Sequence, residues 1–316
     1  MPARKIIVVI GATGAQGGGL ARAILGDSDS RFAVRAVTRD PESEKARRLA
    51  ALGAEVVAAD LDDPATLNKA FAGAYGAFLV TNFWEHFSPE REQSQARAMA
   101  EAARQCGIQH VIWSTLEDVR QFVPLADASM PTLMGNYKVP HFDGKGAADH
   151  VFTDLHLPTT LLRTSFYWEN LIYFGMGPKP GPDGNLVLVL PMGDAKLPAI
   201  AAGDIGKCAY GLFKGGKRYI GKTVGIAGDQ PTCAEMAAAL SEALGRAVRY
   251  EPLSTDAYRK LGFPGAEDLG NMFQFYRDFN ETFCRSRSIE TSRELNPALQ
   301  DFPTWLAENS KRIPLE

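Results

Sequence analysis

The sequence predicts an α/β fold: a doubly wound, mostly parallel sheet with a smaller, mainly helical C-terminal unit. Three observations lead there. From residue 5 to about 165, short β-branched runs alternate with longer amphipathic stretches, the rhythm of βαβ units. A glycine-rich turn, GATGAQGGG over residues 11–19, lies between the first such run and the first amphipathic stretch. After Ser165 the rhythm changes to a turn-rich segment, MGPKPGPDGN, one strand-like run, LVLVL, and then helical patterning.

The elements follow in order. Strands are predicted at Lys5–Ile10, Ala33–Thr38, Glu55–Ala59, Ala77–Thr81, His110–Ser114 and Thr159–Arg163. Asp40-Pro41-Glu42, Asp63-Pro64 and Ser88-Pro89-Glu90 each set a capping side chain before a proline, which predicts three helix starts. Between Glu117 and Phe142 the periodicity lapses around Pro124, Pro131, Gly135 and Pro140, so the stretch is expected to be a functional lid or poorly ordered. Thr232-Cys233-Ala234-Glu235 is a capping box opening a helix to about Leu244, and Asn271–Phe283 and Thr304–Asn309 carry helical patterns. The expected division is 1–165 for a dinucleotide-binding unit and 166–316 for the smaller one, with some later segments returning to the sheet.

A chain of 316 residues, 45% hydrophobic and 22% charged, is long enough for one large domain or two modest ones. Its net charge of −3, with both signs interspersed, predicts neither a nucleic-acid surface nor an anionic-membrane surface. The apolar run that ends at Gly11 is too short for a signal peptide, and no later run approaches the roughly 18 residues of a membrane span. Cys106, Cys208, Cys233 and Cys284 show neither paired nor metal-site spacing, as expected for reduced thiols of a cytoplasmic protein. Cys233, just inside a helix start, is either a thiol of lowered pKa or a buried, inert one.

Gly11, Gly14 and Gly17 have the G-x-x-G-x-x-G spacing of a Rossmann turn, where missing Cβ atoms allow the backbone to approach a pyrophosphate at a helix N-terminus. About 20 residues past such glycines an acid would favour NAD. The sequence there reads Val37-Thr38-Arg39, and a guanidinium suits a 2′-phosphate. NADP(H) is therefore preferred and NAD(H) allowed, since Asp40 and Glu42 dilute the positive field. A solvated arginine at a helix entrance is the plain alternative. Asp60 either meets the adenine edge or caps a helix.

The motifs GATGAQGG, VTRDP, GAEVV, VTNFWE, HFDGKG, FYWEN and LGFPGAEDLGNMFQFY together resemble the NmrA-like family, an atypical branch of the short-chain dehydrogenase/reductases, and within it the vertebrate NADPH-sensing branch. The resemblance runs nearly end to end. It implies NADP(H) bound at the carboxyl ends of the strands, with contacts on Gly11, Ala12, Thr13, Gly14, Ala15, Gln16, Arg39, Asp60, Thr81, Asn82, Lys145, Tyr167, Trp168, Glu169 and Asn170. Gly17 and Phe83 adjoin these on the glycine turn and the aromatic segment. The basic stretch the family shows after the second strand is Arg39-Asp40-Pro41-Glu42-Ser43 here, and a lysine expected in the helix after the fourth strand is Ser94.

HFDGK, residues 141–145, stands where the enzyme superfamily has a tyrosine and a lysine at the same spacing. There the tyrosine transfers a proton, and the lysine lowers its pKa and holds the nicotinamide ribose. Here the pair is His141 and Lys145, with Ser114 where a serine would polarise a carbonyl and Tyr137 four residues before the histidine. A neighbouring lysine charge would press an imidazole toward its neutral form. Three readings stand: Lys145 as a ribose anchor without chemistry, an enzyme using Lys145, His141 or Tyr137 as proton donor, or a structural role for both. Asp143 either steers His141 or caps a helix. Phe83-Trp84, Phe166-Tyr167-Trp168, Met272, Phe273, Phe275 and Tyr276 either wall a substrate pocket or form plain core.

Two functions follow. One is a redox-sensing, regulatory NADP(H)-binding protein without the usual tyrosine. The other is an NADPH-dependent reductase of a small unsaturated carbonyl, quinone or imine compound. The expected partners are a dinucleotide and either a small substrate or a regulatory protein; a homodimer is compatible with the sequence, and no metal, direct nucleic-acid or membrane contact is expected.

Overall fold

Twelve strands are present in a computed structural model that describes residues 3–315: β1 (Lys5–Val9), β2 (Phe32–Thr38), β3 (Glu55–Ala58), β4 (Gly76–Leu79), β5 (His110–Thr115), β6 (Thr159–Arg163), β7 (Phe166–Tyr167), β8 (Lys179–Pro180), β9 (Leu186–Leu190), β10 (Ala199–Ile200), β11 (Thr223–Gly225) and β12 (Val248–Pro252). Seven of them form one parallel sheet in the order β3-β2-β1-β4-β5-β6-β11. The direction of progression reverses between β1 and β4, and in open α/β sheets ligands bind in the crevice at that point.

The helices are α1 (Ala15–Leu25), α2 (Glu44–Ala51), α3 (Pro64–Phe71), α4 (Pro89–Gln105), α5 (Pro140–Asp154), α6 (Asn170–Tyr173), α7 (Ala202–Gly215), α8 (Cys233–Leu244), α9 (Thr255–Arg259), α10 (Ala266–Asp278), α11 (Asn280–Arg285), α12 (Ile289–Leu295) and α13 (Phe302–Asn309). Strand alternation divides the core between the two faces. Ile7, Val9, Phe78 and Ile112 pack with Leu20, Ile205 and Phe213 of α1 and α7. Val8, Leu79, Val111 and Trp113 point the other way, against Leu67, Met99, Ala148 and Phe152 of α3, α4 and α5. A third core, built on Leu186, Leu188 and Leu190 of β9, gathers Met236, Phe273, Tyr276, Phe302 and Trp305 from the C-terminal helices.

The six predicted sheet strands are present to within two residues at either end. Asp63 and Ser88 cap α3 and α4 ahead of their prolines, and Thr232 and Glu235 close a reciprocal capping box on α8. The start at Asp40-Pro41 is corrected. Asp40 spends its carboxylate on the Glu42 N–H in a turn, and α2 opens three residues later with Ser43 as its cap. The helix predicted over 271–283 is two helices, α10 and α11. The seventh strand, β11, was not legible as a strand because Thr223-Val224-Gly225 is too short and glycine-flanked to show a period.

Residues 117–139 follow an irregular path held by side-chain-to-backbone hydrogen bonds. The Asp143 carboxylate accepts the backbone N–H groups of Val119, Lys138 and Val139 at 2.8, 2.7 and 3.0 Å. Buried Lys138 donates to the carbonyls of Asp127 and Met130, both at 2.7 Å, and Asn271 and Gln274 of α10 donate to the carbonyls of Pro131 and Ser129. Among the described residues no helix is long and apolar enough to cross a membrane, and no cluster of His, Cys, Asp or Glu could hold a metal ion.

Candidate functional site

The glycine turn leaves β1 and enters α1 at the sheet's reversal point. Gly11 has φ +63°, and a Cβ on Gly17 would lie 2.6 Å from the Gly11 carbonyl oxygen and 2.7 Å from that of Ile10. A side chain at Gly17 would force the backbone apart, and the left-handed turn at Gly11 favours glycine. Gly14 precedes α1 with no side-chain cap, Gly14 and Ala15 are exposed, and the first turn carries no acid. Ala12 is buried beneath the turn and Thr13 is half-buried on it. An uncapped, acid-free N-terminus behind a glycine turn fits an oxyanion, so these residues suit a dinucleotide pyrophosphate.

Behind the turn, Gln16 links three elements: it accepts the Ser114 hydroxyl at 2.7 Å and donates to the Tyr167 oxygen at 2.6 Å. Ser114 is thus placed at the strand exits, but its hydroxyl is spent on Gln16. Burial pushes the Tyr167 phenol above its usual range. Neighbouring Trp168 is fully buried against Phe302 and Trp305, and Glu169 takes the Ala202 N–H at 2.9 Å and the Trp305 indole at 3.2 Å. Asn170 begins α6 and is half-buried.

At the other end, Arg39 leaves β2 and makes two bonds of 2.9 Å to the Glu85 carboxylate, which also accepts the Asn82 amide at 3.1 Å. Asp60 is exposed, and its carboxylate takes the Asp62 N–H at 3.0 Å, a turn contact rather than a helix cap.

Past the exit of β4, the Lys145 ammonium meets the Thr81 hydroxyl at 2.6 Å, the Thr81 carbonyl at 3.0 Å and the Glu92 carboxylate at 2.7 Å. The Glu92 side chain is 1% exposed, and its second oxygen faces His86 Nε2 at 3.8 Å. His86 Nδ1 accepts the Ser88 N–H at 3.1 Å, which assigns the ring proton of the neutral form to Nε2 and turns it toward Glu92. The lysine charge expected to bear on His141 is therefore balanced inside α4.

His141 stands one helical turn before Lys145 on α5. Its Nδ1 lies 2.6 Å from Asp268 Oδ1, and its backbone N–H donates to Asp268 Oδ2 at 3.1 Å. The two side chains are 8% and 6% exposed. The acid that steers the imidazole is thus Asp268 of α10, while Asp143 holds the preceding backbone. Burial pushes the Asp143 carboxyl up to about 6. Tyr137 does not join the group: its hydroxyl donates to Glu90 at 2.8 Å, and burial, with that carboxylate beside it, raises the phenol above its usual range.

Beside the His141–Asp268 pair lies a cavity of about 330 Å³ lined by Phe83, Phe87, Leu133, Met134, Pro140 and Phe263 together with the charged residues Arg259, Glu267 and Asp268. Phe87 and Met134 hold left-handed backbone, φ +53° and +48°, and leave their apolar side chains exposed there. Phe83 serves this cavity, and its ring lies 5.9 Å from that of His141. Phe166, Trp168, Met272, Phe273, Phe275 and Tyr276 are plain core. Cys233 is fully buried, and burial pushes its thiol up to about 12, so it is the inert thiol of the two alternatives.

Sequence reasoning missed Glu85, Glu92 and Asp268. Glu92 stood in plain view as a first-turn acid of α4, and Asp268 lay inside a motif already singled out; nothing in their spacing shows which cation or imidazole they meet.

A model of the NmrA-like family matches residues 3–306. The NmrA-like family domain-containing oxidoreductase FrzB of Cladobotryum sp is 30% identical over 283 residues, covering 85% of this chain and 83% of its own. NmrA, a negative transcriptional regulator solved in complex with NADP, is 23% identical with a TM-score of 0.76 and covers 97% of this chain and 95% of its own. The Citrobacter sp. triphenylmethane reductase complexed with NADP(H) is 20% identical with a TM-score of 0.74, over 97% and 99%. These two structures share the fold.

Proposed function

The chain belongs to the NmrA-like family, and on that premise we propose that it binds NADP(H), with NAD(H) as a second cofactor, and acts as an NADPH-dependent reductase of a small, apolar unsaturated carbonyl, quinone or imine. The observation that carries the reading is the His141–Asp268 pair, 2.6 Å apart, one turn before Lys145 and beside an apolar cavity. The name of FrzB as an oxidoreductase and the NADP complexes of NmrA and the triphenylmethane reductase support it.

The bound dinucleotide would supply the hydride; the chain's own residues manage the proton and the positions. Asp268 accepts Nδ1–H, which fixes the imidazole's tautomer and leaves Nε2 as the atom that gives or takes a proton. The same carboxylate stabilises the imidazolium when it forms. Lys145, held by Thr81 and Glu92 at the exit of β4, anchors the ribose side of the cleft. Gly11, Gly14 and Gly17 cradle the pyrophosphate, and the Ser114–Gln16–Tyr167 chain holds the start of α1 against the exits of β5 and β6. In this arrangement residues 1–165 carry the dinucleotide, and the later segments close the cleft through Tyr167 and Asp268.

One observation favours the regulatory reading as a second. Both cations assigned to the cofactor, Arg39 and Lys145, are paired internally with Glu85 and Glu92, so occupancy would re-pair them and could be read out by a partner protein.

The test is calorimetric titration with NADPH and NADH, followed by NADPH oxidation against enones, quinones and imines. We expect turnover that falls about 10²- to 10⁴-fold in His141→Ala, and less in Asp268→Asn, with NADPH affinity retained. Tight binding with no oxidation of any compound would transfer the conclusion to the regulatory reading.

A further inference from the structure

We propose that Glu85 is the residue by which this chain discriminates between dinucleotides with and without a 2′-phosphate; the proposal rests on the dinucleotide reading above. The exit of β2, where an acid would select the free 2′-hydroxyl, offers Arg39 instead, and the Asp40 carboxylate beside it turns one oxygen back to the Glu42 N–H at 2.9 Å. The acid arrives from elsewhere in the chain. Glu85 stands in the 3-10 turn Phe83–Glu85 after β4, and its two oxygens take both arms of the Arg39 guanidinium at 2.9 Å each. Asn82 holds one of those oxygens at 3.1 Å. Since β1 lies between β2 and β4, this pair joins the exits on either side of the strand that feeds the glycine turn.

The chemistry of the pair defines what it can distinguish. A planar guanidinium presents one fork to two oxygens, so a carboxylate and a phosphate compete for it. Arg39 and Glu85 have side chains 66% and 44% exposed, and ion pairs so exposed are weak enough to exchange. A 2′-phosphate must displace Glu85 and then sit beside its charge, whereas a 2′-hydroxyl is a donor that the carboxylate can accept without leaving Arg39. Glu85 therefore penalises the phosphorylated cofactor and accommodates the other, which makes the chain tolerant of both.

Calorimetric titration of the full-length wild type, Glu85→Gln, Glu85→Ala and Arg39→Ala with NADPH and NADH tests this, with thermal melts confirming that each variant is folded. Both Glu85 variants should bind NADPH about three- to tenfold more tightly, while Glu85→Ala binds NADH no better than wild type or more weakly. Arg39→Ala should lose NADPH affinity, and adding Glu85→Gln to it should restore only part of the gain seen with Arg39 present. Folded Glu85 variants whose NADPH-to-NADH preference stays within twofold of wild type would overturn the proposal and leave Arg39 as the sole reader of that group. A wild type that binds neither nucleotide at millimolar concentration would sink the dinucleotide reading first, and the role of Glu85 with it.

Discussion

Asp149, one turn beyond Lys145, shows how a single residue's chemistry depends on its surroundings. Its carboxyl accepts the Trp113 indole at 2.9 Å and the Thr115 hydroxyl at 2.6 Å, and burial pushes it up to about 7. A carboxyl raised in the folded state favours folding while it keeps its proton, and that contribution is lost as pH rises from the unfolded value, 3.8, through the folded one. Asparagine cannot ionise and can accept the same two bonds. Asp149→Asn should therefore gain on wild type by on the order of 2–3 kcal/mol between pH 5 and pH 8, read by urea denaturation at each pH. A difference that stays flat with pH would mean that the carboxyl is not raised. None of this was legible in ADHVF, because burial is set by Trp113 and Thr115 of another element. The same holds for His141: its spacing from Lys145 was visible, but its partner lies 127 residues away.

At the scale of elements, the start of α1 is held by glycine at a helix contact as well as at the turn that leaves β1. A Cβ on Gly206 of α7 would come within 2.0 Å of the Leu20 nitrogen, and one on Gly19 within 2.5 Å of the Gly203 oxygen. Backbone cannot yield as a side chain can, so the two helices meet only because these side chains are missing. Gly206→Ala should cost about 1–3 kcal/mol or more by overpacking. Gly203→Ala meets nothing within 4 Å and should be neutral or stabilise by up to about 1 kcal/mol through helix propensity. Equal effects of the two substitutions would argue against the contact. The run GGG could be read toward the glycine turn, but not toward α7, which enters the structure some 190 residues later in the chain. The anchored stretch before α5 makes the same point. Its prolines signalled an irregular path correctly, while the donors and acceptors that hold it come from Asp143, Asn271 and Gln274.

For the whole molecule, one buried ion pair ties the C-terminal helices to the sheet. Arg287, 0% exposed, makes a two-bond contact with Glu117 just past β5 and donates to the Thr164 carbonyl past β6. Burial works against the Glu117 charge, yet the Arg287 guanidinium holds its carboxyl below the usual range. Removing one partner leaves a buried charge uncompensated, so Glu117→Gln should destabilise by about 3–5 kcal/mol in urea, more than an exposed pair such as Arg48–Glu44 could. A loss under 1 kcal/mol would show that solvent reaches the site. Strand period, proline-preceded caps, the capping box and the glycine turn are local properties, carried by neighbours in the chain, and they sufficed for the α/β class and the position of the glycine turn between β1 and α1. Tertiary structure alone decided that Glu85 meets Arg39, Glu92 meets Lys145, Asp268 meets His141 and Arg287 meets Glu117. Each is a pairing of charged or hydrogen-bonding groups brought together by chain crossovers, and no sequence period records which side chains a crossover will make neighbours.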